Sequence, residues 1–371
     1  MQKKLLFIVN VDWFFVSHRL PIAIKAIEMG YDVHLACGVT TMLDKLTLEG
    51  IVVHPLALSR SGTSLLGELK ILADLFKIIK NVNPDIVHSV TIKPVLYGNI
   101  VAQLLNVPLR VASISGLGYV FITSGIKSKI FRSFIAAMYR VALTGAEAVI
   151  FQNKSDRDVL MLMGGVSSEQ TVFVRGSGVE LDQYAVVDEP RDSSVVILVA
   201  RLLIDKGVNE FVSAAKILKS KRPDIRMVLV GEVDLANPKS IEIAQLSSWI
   251  EDGVVEHWGY CENIAKTMAK ANIVVLPSYR EGLPKSLIEA AACGRAVITT
   301  DVPGCRDAIE PNRTGLLVPV KAVEPLVAAI LKLIDDVELR RRFSLRARQF
   351  AEENFNINDV VDKHLAIYNR Q

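Results

Sequence analysis

Short apolar segments alternate with helical patterns along the whole chain. In its first half, β-branched residues are concentrated in segments at 5–10, 32–37, 51–56, 85–90, 109–114, 148–153 and 171–176. Segments of this kind are typical of strands buried on both faces of a parallel sheet. Helical patterns lie between most of them, for example at 63–80 and 126–144. The alternation therefore predicts a doubly wound α/β sheet.

The same pattern starts again after a polar segment at 188–194. Further strands are predicted at 195–200, 226–231, 254–259, 272–277, 295–300 and 314–319, helices at 206–221, 285–293 and 322–334, and a terminal helix at 356–370. We therefore predict two Rossmann-like domains with a boundary near 178–194. Ligands of open α/β sheets bind beyond the carboxyl ends of the strands, so the expected site is the cleft between the two domains.

Composition agrees with a globular chain of two domains. The 371 residues are 50% hydrophobic and 22% charged, which excludes a disordered or fibrous chain. The mean hydropathy of +0.33 is high, but the longest uncharged runs, 94–109 and 111–126, fall short of the ~18 apolar residues that a membrane span needs. The excess hydrophobicity is expected inside sheets buried on both faces or on a membrane surface.

Charge and cysteine content indicate the compartment and the kind of partner that the protein would have. Four cysteines without metal-pair spacing predict no disulfide framework, and the N-terminus reads as a strand, which predicts a cytoplasmic chain. A net charge of +3 is too small to indicate nucleic-acid binding. Residues 1–180 carry 18 lysines and arginines against 13 acidic residues, a balance that suits anionic lipid or an anionic acceptor. A chance asymmetry is an equally good explanation.

The segment SYREGLPKSLIE (278–289) contains the most informative chemistry. Seven residues separate Glu281 from Glu289, and Gly282 and Pro284 break the chain between them. This predicts Glu281 in a loop and Glu289 in the second turn of a helix whose N-terminus attracts phosphate. The two carboxylates could then accept hydrogen bonds from the sugar and the ribose of a nucleotide-sugar. The alternative is that Glu281 compensates the helix dipole and Glu289 is solvated.

A second group lies in VARLLIDKGVNEF (199–211). Arg201 is predicted just beyond a strand and Lys206 at the start of the next helix. Together they could neutralise a diphosphate leaving group without a metal, although a basic residue at a strand end is more often a surface residue. The six histidines have no metal-ligand spacing, so no metal or other cofactor is expected.

The first half offers candidates for binding an acceptor. Gly116 and Gly118 in SISGLGYVF (113–121) permit close backbone approach, but they do not form the dinucleotide-binding fingerprint, which argues against a nicotinamide enzyme. Other candidates near predicted strand ends are His18, Arg19, His88 and Lys93. Taken singly, a residue in such a position is more often structural. The basic helix at 126–142 has a broad apolar face, which is typical either of an interfacial helix or of a core helix with a solvated edge.

These motifs together resemble glycosyltransferase family 4, the retaining enzymes of GT-B fold. EGLPKSLIE (281–289) resembles the Glu-x7-Glu motif of that family, and the similarity continues through 289–309 and 312–319. VARLLIDKGVNEF is similar to its phosphate-binding segment. Segments 14–23, 92–99 and 113–121 resemble a subgroup that acts in bacterial surface-polysaccharide and lipid-linked oligosaccharide synthesis. The resemblance covers nearly the whole chain.

The resemblance implies a role for each matching residue. Arg201 and Lys206 would bind the diphosphate, Glu281 the donor sugar and Glu289 the ribose. The backbone of Gly282, Leu283, Pro284 and Lys285 would contact sugar and diphosphate, and Trp258 and Tyr260 would border the base. The last helix would return to the first domain, which gives domains of 1–178 plus 356–371 and of 190–355.

Two positions depart from the family pattern. Many members have a Gly-Gly turn after the first strand, where this chain reads NVDWFFVSH (10–18). Many place a histidine where this chain has Ser115, which leaves Ser115 a candidate on the acceptor side without an assigned catalytic role.

The function expected from this resemblance is a metal-independent, retaining glycosyltransferase. It would move a sugar, with N-acetylhexosamine favoured, from a UDP-sugar donor to a polyprenyl-diphosphate-linked acceptor. It would be cytoplasmic and peripheral to the inner face of the cell membrane, held on anionic lipid by its basic N-terminal domain, and would bind no nucleic acid. The alternatives are a GT-B-shaped UDP-sugar epimerase or hydrolase and a non-enzymatic sugar-binding protein.

Overall fold

The computed structural model describes residues 2–58, 65–117, 126–235 and 237–370. Two compact units divide the chain. The N-terminal unit comprises residues 1–177 and 357–371, and the C-terminal unit comprises 178–356. Each unit is built around one sheet in which all pairs of neighbouring strands are parallel.

The N-terminal unit contains a sheet of seven strands in the order β3-β2-β1-β4-β5-β6-β7. The strands are β1 Lys4–Val11, β2 Asp32–Gly38, β3 Val52–Pro55, β4 Ile86–Val90, β5 Leu109–Ile114, β6 Ala148–Phe151 and β7 Thr171–Phe173. The helices are α1 Asp12–His18, α2 Leu20–Glu28, α3 Leu43–Leu48, α4 Leu65–Val82, α5 Ile92–Leu104, α6 Ile126–Leu143, α7 Lys154–Leu162 and, from the end of the chain, α14 Ile357–Tyr368.

The C-terminal unit contains a sheet of six strands in the order β10-β9-β8-β11-β12-β13. The strands are β8 Ser194–Val199, β9 Ile225–Val230, β10 Glu256–His257, β11 Ile273–Leu276, β12 Ala296–Thr300 and β13 Gly315–Val318. The helices are α8 Val208–Lys221, α9 Ile243–Glu251, α10 Ile264–Ala269, α11 Lys285–Ala292, α12 Val323–Asp335 and α13 Val337–Asn354.

The apolar runs form central strands because helices cover both faces of each sheet. In β1 the five consecutive residues 5–9 are fully buried, which only a strand covered on both sides allows. Every strand predicted from the sequence is present, although β10 has only two residues. In the described part of the chain, no helix has both the length and the apolar character that crossing a bilayer requires.

One boundary prediction is wrong in a way that affects the candidate site. Lys206 was expected to begin a helix, but it ends a short 3-10 turn at Ile204–Lys206, and α8 begins only at Val208. Gly207 separates the two with a φ of +78°. A left-handed residue cannot continue a helix, so the chain changes direction immediately after Lys206.

Candidate active site

The strand order of the C-terminal unit reverses between β8 and β11. Such reversals place the ends of neighbouring strands around one crevice, which is where parallel sheets bind ligands. Arg201 follows the end of β8, and Glu281 lies in the loop after β11. Their sequence separation is large, but the parallel pairing of β8 with β11 brings both to the same edge of one sheet.

Lys206 and Glu281 form the central contact of this edge. The Lys206 Nζ atom lies 2.5 Å from Glu281 Oε1, and the Ser278 hydroxyl donates to the same oxygen over 2.7 Å. The carbonyl oxygen of Asp205 lies 2.9 Å from the same hydroxyl oxygen, as a competing acceptor for its single hydrogen. The Glu281 carboxylate is therefore held through one oxygen, and Oε2 takes part in neither contact.

Two glycines allow the loops of this edge to approach closely. A β-carbon on Gly207 would lie 2.2 Å from the carbonyl oxygen of Pro277, and one on Gly304 would lie 2.4 Å from that of Glu281. Real β-carbons do not approach backbone this closely, and both glycines have positive φ. Replacing either glycine would displace the turn that carries Lys206 or the loop that carries Glu281.

Arg201 is held by a carboxylate from the neighbouring strand. Its Nη1 atom lies 2.6 Å from Asp234 Oδ2, and Asp234 follows the end of β9. The edge thus carries two cations, each beside a carboxylate. A diphosphate that enters would meet cations whose positions are already fixed, which is the arrangement that stabilises developing negative charge most effectively.

Glu289 occupies the second turn of α11, as predicted, but it is not solvated. The residue is only 7% exposed, and burial raises the pKa of its carboxyl group, while Lys285 and Tyr184 oppose that increase. The Tyr184 hydroxyl donates to Glu289 Oε1 over 2.9 Å, and Lys285 Nζ lies 3.7 Å from the same atom. A buried carboxylate held in this way in the second turn of a helix is suited to accept hydrogen bonds from a ligand.

The loop between the two glutamates leads directly into α11. Pro284 is the residue before the helix, and its side chain makes no capping hydrogen bond. Leu283 is buried in the core of the unit, which fixes the loop, and Gly282 adjoins Gly304. The resulting helix start can present its backbone N–H groups to an anion.

The turn after β10 lies beside the end of β9, on the side away from β8. The Gly231 N–H donates to the Gly259 carbonyl oxygen over 2.8 Å, which ties this turn to the end of β9. The Trp258 ring N–H donates to Glu256 over 3.1 Å, and Tyr260 is 70% exposed. Tyr260 follows β10 at the carboxyl edge that carries Arg201, where a planar base could contact it. The Trp258 ring instead lies over Lys270 and lines a pocket with Val195 and Arg226, at the amino ends of β8 and β9, so its side chain does not suit the predicted contact with the base.

The acceptor candidates of the N-terminal unit have different surroundings. His18 is half-buried, stacks on Phe14 with ring centroids 4.2 Å apart and has its Nδ1 atom 3.1 Å from the Phe14 carbonyl oxygen. Lys93, in the first turn of α5, pairs with Glu68 at 2.7 Å. Each of the two lies after a strand end, but each already has protein partners.

Arg19 does not suit an acceptor-binding role. Its side chain is 2% exposed and points toward His88, His364 and Tyr368, and burial lowers its pKa to about 10. The expectation that Arg19 binds acceptor is wrong because α14 covers it. His88 is also fully buried, with its ring nitrogens 2.6 Å from the Tyr368 hydroxyl and 2.7 Å from the Ser113 hydroxyl.

Ser115 and Gly116 follow the end of β5. The Ser115 hydroxyl is buried and has no hydrogen-bond partner within the described residues, and the same holds for Thr91 at the end of the adjacent β4. Thr91 has φ +76° and ψ 169°, a conformation that a β-branched residue adopts only under strain. Gly118 lies outside the described residues. Strain and unpartnered hydroxyls at one strand edge are typical of ligand sites.

Sequence reasoning missed the residues that hold the others in place. Asp234, Ser278 and Tyr184 contact Arg201, Glu281 and Glu289 respectively. Ser278 is three residues from Glu281 and could have been noticed. The other two are distant in sequence. In the described ranges, no three histidine, cysteine or acidic side chains are grouped as metal ligands.

Comparison with known proteins agrees with the geometry. Residues 182–350 match the family model of glycosyl transferases group 1, and residues 4–153 match that of glycosyl transferase 4-like proteins. The chain is 30% identical over 366 residues to the N,N'-diacetylbacillosaminyl-diphospho-undecaprenol alpha-1,3-N-acetylgalactosaminyltransferase of Campylobacter jejuni, covering 95% of this chain and 94% of that protein. It is 23% identical to the UDP-Gal:alpha-D-GlcNAc-diphosphoundecaprenol alpha-1,3-galactosyltransferase of Escherichia coli, covering 91% and 89%.

A solved structure gives the same fold. The crystal structure of Anabaena HepE in complex with UDP and glucose superimposes over all of both chains with a TM-score of 0.80 at 17% identity. Two parallel Rossmann-like units of this kind define a GT-B protein. The chain belongs to the glycosyltransferases of family 4 type and is a glycosyltransferase.

Proposed function

We propose that this enzyme is a retaining glycosyltransferase that moves a sugar from a UDP-sugar to a polyprenyl-diphosphate-linked saccharide in the synthesis of bacterial surface polysaccharide or lipid-linked oligosaccharide. The observation that carries the proposal is the grouping of Arg201, Lys206 and Glu281 at one strand edge, with Glu289 behind them. Two fixed cations suit a diphosphate, and two carboxylates suit the hydroxyls of the sugar and the ribose.

The relatives support a choice of donor and acceptor. The Campylobacter and Escherichia proteins are both named for diphospho-undecaprenol acceptors and for α-1,3 transfer. The HepE crystal holds UDP. An N-acetylhexosamine is our preferred donor sugar because the Campylobacter protein, which matches over nearly its whole length, is named for that sugar.

The proposed chemistry follows from the charges at this edge. A hydroxyl of the acceptor sugar attacks the anomeric carbon on the face from which UDP departs. The bond between that carbon and the UDP oxygen breaks, and the departing diphosphate accepts the hydroxyl proton. Negative charge grows on the β-phosphate, where Lys206 and Arg201 stabilise it. Glu281 holds the donor sugar through its hydroxyls.

We also propose that no metal ion takes part. Lys206 and Arg201 are both fixed by carboxylates before a ligand arrives. They can therefore supply positive charge to the diphosphate from the protein itself. Asp156 and Asp158, spaced like a metal motif, lie in α7, where the Asp156 N–H is hydrogen-bonded to the N-capping Asn153 side chain. Their place at the start of a helix suits dipole compensation better than metal binding.

The membrane part of the proposal concerns the N-terminal unit. Side chains 126–132 of α6, which include three of its basic residues, lie outside the described residues. Helix α4 presents a described surface of the required kind. Leu66, Leu69 and Phe76 are 80%, 54% and 40% exposed on it, and Lys70, Lys77 and Lys80 are exposed on the same helix.

Helical spacing gathers these side chains on one outward face. The exposed positions 66, 69 and 70, 73, 76 and 77, and 80 follow one another at three- and four-residue intervals, so apolar and basic groups share a single stripe. Such a stripe suits an anionic lipid surface, which attracts the lysines while the leucines and the phenylalanine enter the headgroup boundary. We therefore propose that α4 holds the enzyme on the inner face of the cell membrane.

A direct test is a donor screen. Purified enzyme would be mixed with UDP-N-acetylgalactosamine, UDP-N-acetylglucosamine, UDP-galactose or UDP-glucose, with and without a short-chain polyprenyl-diphosphate-linked sugar. The proposal predicts release of UDP and an elongated lipid product for one donor, both dependent on the acceptor. Release of UDP at the same rate without acceptor would indicate a hydrolase and would refute the proposal.

A further inference from the structure

A tyrosine distant in sequence holds the carboxylate of Glu289. Tyr184 comes directly after the 3-10 turn Leu181–Gln183 and lies 105 residues before Glu289. Its hydroxyl donates to Oε1 in a fully buried hydrogen bond of 2.9 Å. Because Oε1 also faces Lys285, at 3.7 Å, the tyrosine and the lysine together define how the carboxylate is turned. Oε2 takes part in neither contact.

Arg348 connects the tyrosine to the helix of the glutamate. This residue belongs to α13, and its Nη1 atom donates to the carbonyl oxygen of Tyr184 at 2.6 Å and to that of Ala292 at 2.8 Å. Ala292 is the last residue of α11. One guanidinium group therefore fixes both the backbone that carries the tyrosine and the end of the helix that carries Glu289.

This arrangement matters because Glu289 is buried. A carboxylate withdrawn from water is costly unless hydrogen bonds hold it charged. Tyr184 supplies one such bond, and it leaves the second oxygen to a ligand. A carboxylate fixed in this way loses little rotational freedom when a ligand binds, so its hydrogen bonds contribute more fully to affinity.

We propose that Tyr184 is a positioning residue for nucleotide recognition, which orients Glu289 so that its carboxylate accepts hydrogen bonds from the ribose hydroxyls. The inference rests on the proposed function, in which Glu289 binds the ribose of the UDP-sugar. Tyr184 touches no ligand itself in this account. Arg348 supports it by fixing the backbone on which the tyrosine ring depends.

The test compares two nucleotides on two proteins by calorimetry. Parent enzyme should bind UDP about 10- to 100-fold more tightly than 2′,3′-dideoxy-UDP, which lacks the hydroxyls for a charged hydrogen bond. Tyr184→Phe keeps the ring and removes the donor. The Tyr184→Phe enzyme should bind UDP about tenfold more weakly than the parent enzyme does. Its affinity for dideoxy-UDP should be unchanged. Tyr31→Phe, which removes a tyrosine hydrogen bond to Asn369 in the N-terminal unit, should change neither.

A second measurement separates positioning from support of the fold. In a Glu289→Gln background, Tyr184→Phe should cause little further loss of UDP affinity, since the tyrosine acts through the glutamate. The pH profile should also move. Loss of the Tyr184 hydrogen bond raises the pKa of Glu289 further, so binding of a UDP-sugar should weaken at a higher pH in Tyr184→Phe than in parent.

Three other outcomes are possible, and each of them excludes a different part of the proposal. Equal weakening of UDP and dideoxy-UDP by Tyr184→Phe, or no weakening of either, would overturn the positioning role. A parent enzyme that binds UDP and dideoxy-UDP equally would show that Glu289 does not hold the ribose. A parent enzyme that binds no uridine nucleotide would overturn the proposed function, and this inference with it.

Discussion

Lys206 provides the most demanding test of the proposed chemistry. Its ammonium group lies 2.5 Å from Glu281 Oε1, and the side chains of the pair are 24% and 11% exposed. Water therefore screens this cation only partly. If Lys206 stabilises the charge that grows on the leaving diphosphate, its contribution is larger in the transition state than in the ground state. Its loss then lowers turnover as well as affinity.

The expected decrease in kcat can be taken from other enzymes in which one preorganised hydrogen-bond donor was removed. Removing one such donor lowers kcat about 10²- to 10³-fold, or about 2.7–4 kcal/mol. Lys206→Ala should show a decrease of this size at saturating UDP-sugar. Arg201→Ala should behave similarly. In the double variant, kcat should fall by less than the product of the two single fold-decreases, because both side chains act on one diphosphate.

Stability must be measured alongside the rate. Lys206→Ala leaves the Glu281 carboxylate with Ser278 as its remaining partner in this contact, which should destabilise the protein by about 1–3 kcal/mol. Each kcal/mol lowers the melting temperature by about 2–4 °C in a unit of this size, so kcat should be measured well below the transition. Arg222→Ala is the matched control, since it removes a cation paired with Asp224 and Asp335 on the surface of the same unit.

A changed KM without a changed kcat would exclude a leaving-group role for Lys206. A folded Lys206→Ala enzyme with parent kcat and only a raised KM for the donor would show that the lysine binds ground-state UDP-sugar. The leaving-group role would then belong to another residue. Loss of activity in the Arg222→Ala control would also argue against a catalytic role for Lys206, because it would show that the loss of any ion pair impairs this unit.

Three further predictions concern metal, pH and membrane. Excess EDTA should leave the rate of sugar transfer nearly unchanged, and activity recovered only with Mg²⁺ or Mn²⁺ would contradict the metal-free proposal. His88 and His364 are buried, and burial holds the pKa of His88 well below 6.5 and lowers that of His364 to about 3. The unfolded chain therefore binds more protons below pH ~6.5, and the free energy of unfolding should fall by about 1.4 kcal/mol per pH unit for each histidine that stays neutral in the folded protein, which for His364 extends down to about pH 3. A His364→Gln variant should lose its share of that slope, and an unchanged slope in chemical denaturation would reject the assignment. Reversing the charge of Lys70, Lys77 and Lys80 to glutamate should weaken binding to anionic vesicles at least 100-fold, at ~1 kcal/mol per lysine.

The vesicle experiment has an internal control in the chain. Lys216, Lys219 and Lys221 are exposed on α8 of the C-terminal unit. Their reversal changes the net charge by the same amount as reversal of the lysines of α4. Equal release of both triple variants from vesicles would mean that overall charge, and not α4, determines binding. Binding that does not weaken with added salt would contradict the electrostatic part of the account.

The sequence predicted the layout of the fold because each strand carries its own signal. Continuous apolar runs such as 5–9 are possible only where both faces are covered, so the position of β1 could be recognised locally. Gly282 and Pro284 likewise marked the loop that separates Glu281 from Glu289. Arg201 could be placed because a polar residue directly after an apolar run lies at a strand end. These are short-range features.

The rest depends on contacts between distant segments. Nothing near Tyr184 in sequence indicates that its hydroxyl reaches Glu289, and nothing near Asp234 indicates Arg201. Arg19 looked available as an acceptor ligand because α14, more than 330 residues later, supplies the His364 and Tyr368 that cover it. The start of α8 was predicted two residues too early, at Lys206. The actual start depends on the close approach of Gly207 to Pro277, which is a tertiary contact.

The anomeric configuration of the product reports on whether sugar transfer proceeds with retention. A UDP-N-acetylhexosamine, which carries its sugar in the α configuration, would be incubated with the enzyme and a polyprenyl-diphosphate-linked acceptor, and the new linkage would be determined by the anomeric coupling in proton NMR. We expect an α linkage formed with one equivalent of UDP. A β linkage would contradict the proposed same-face chemistry, and free N-acetylhexosamine in place of an elongated lipid would contradict transfer itself.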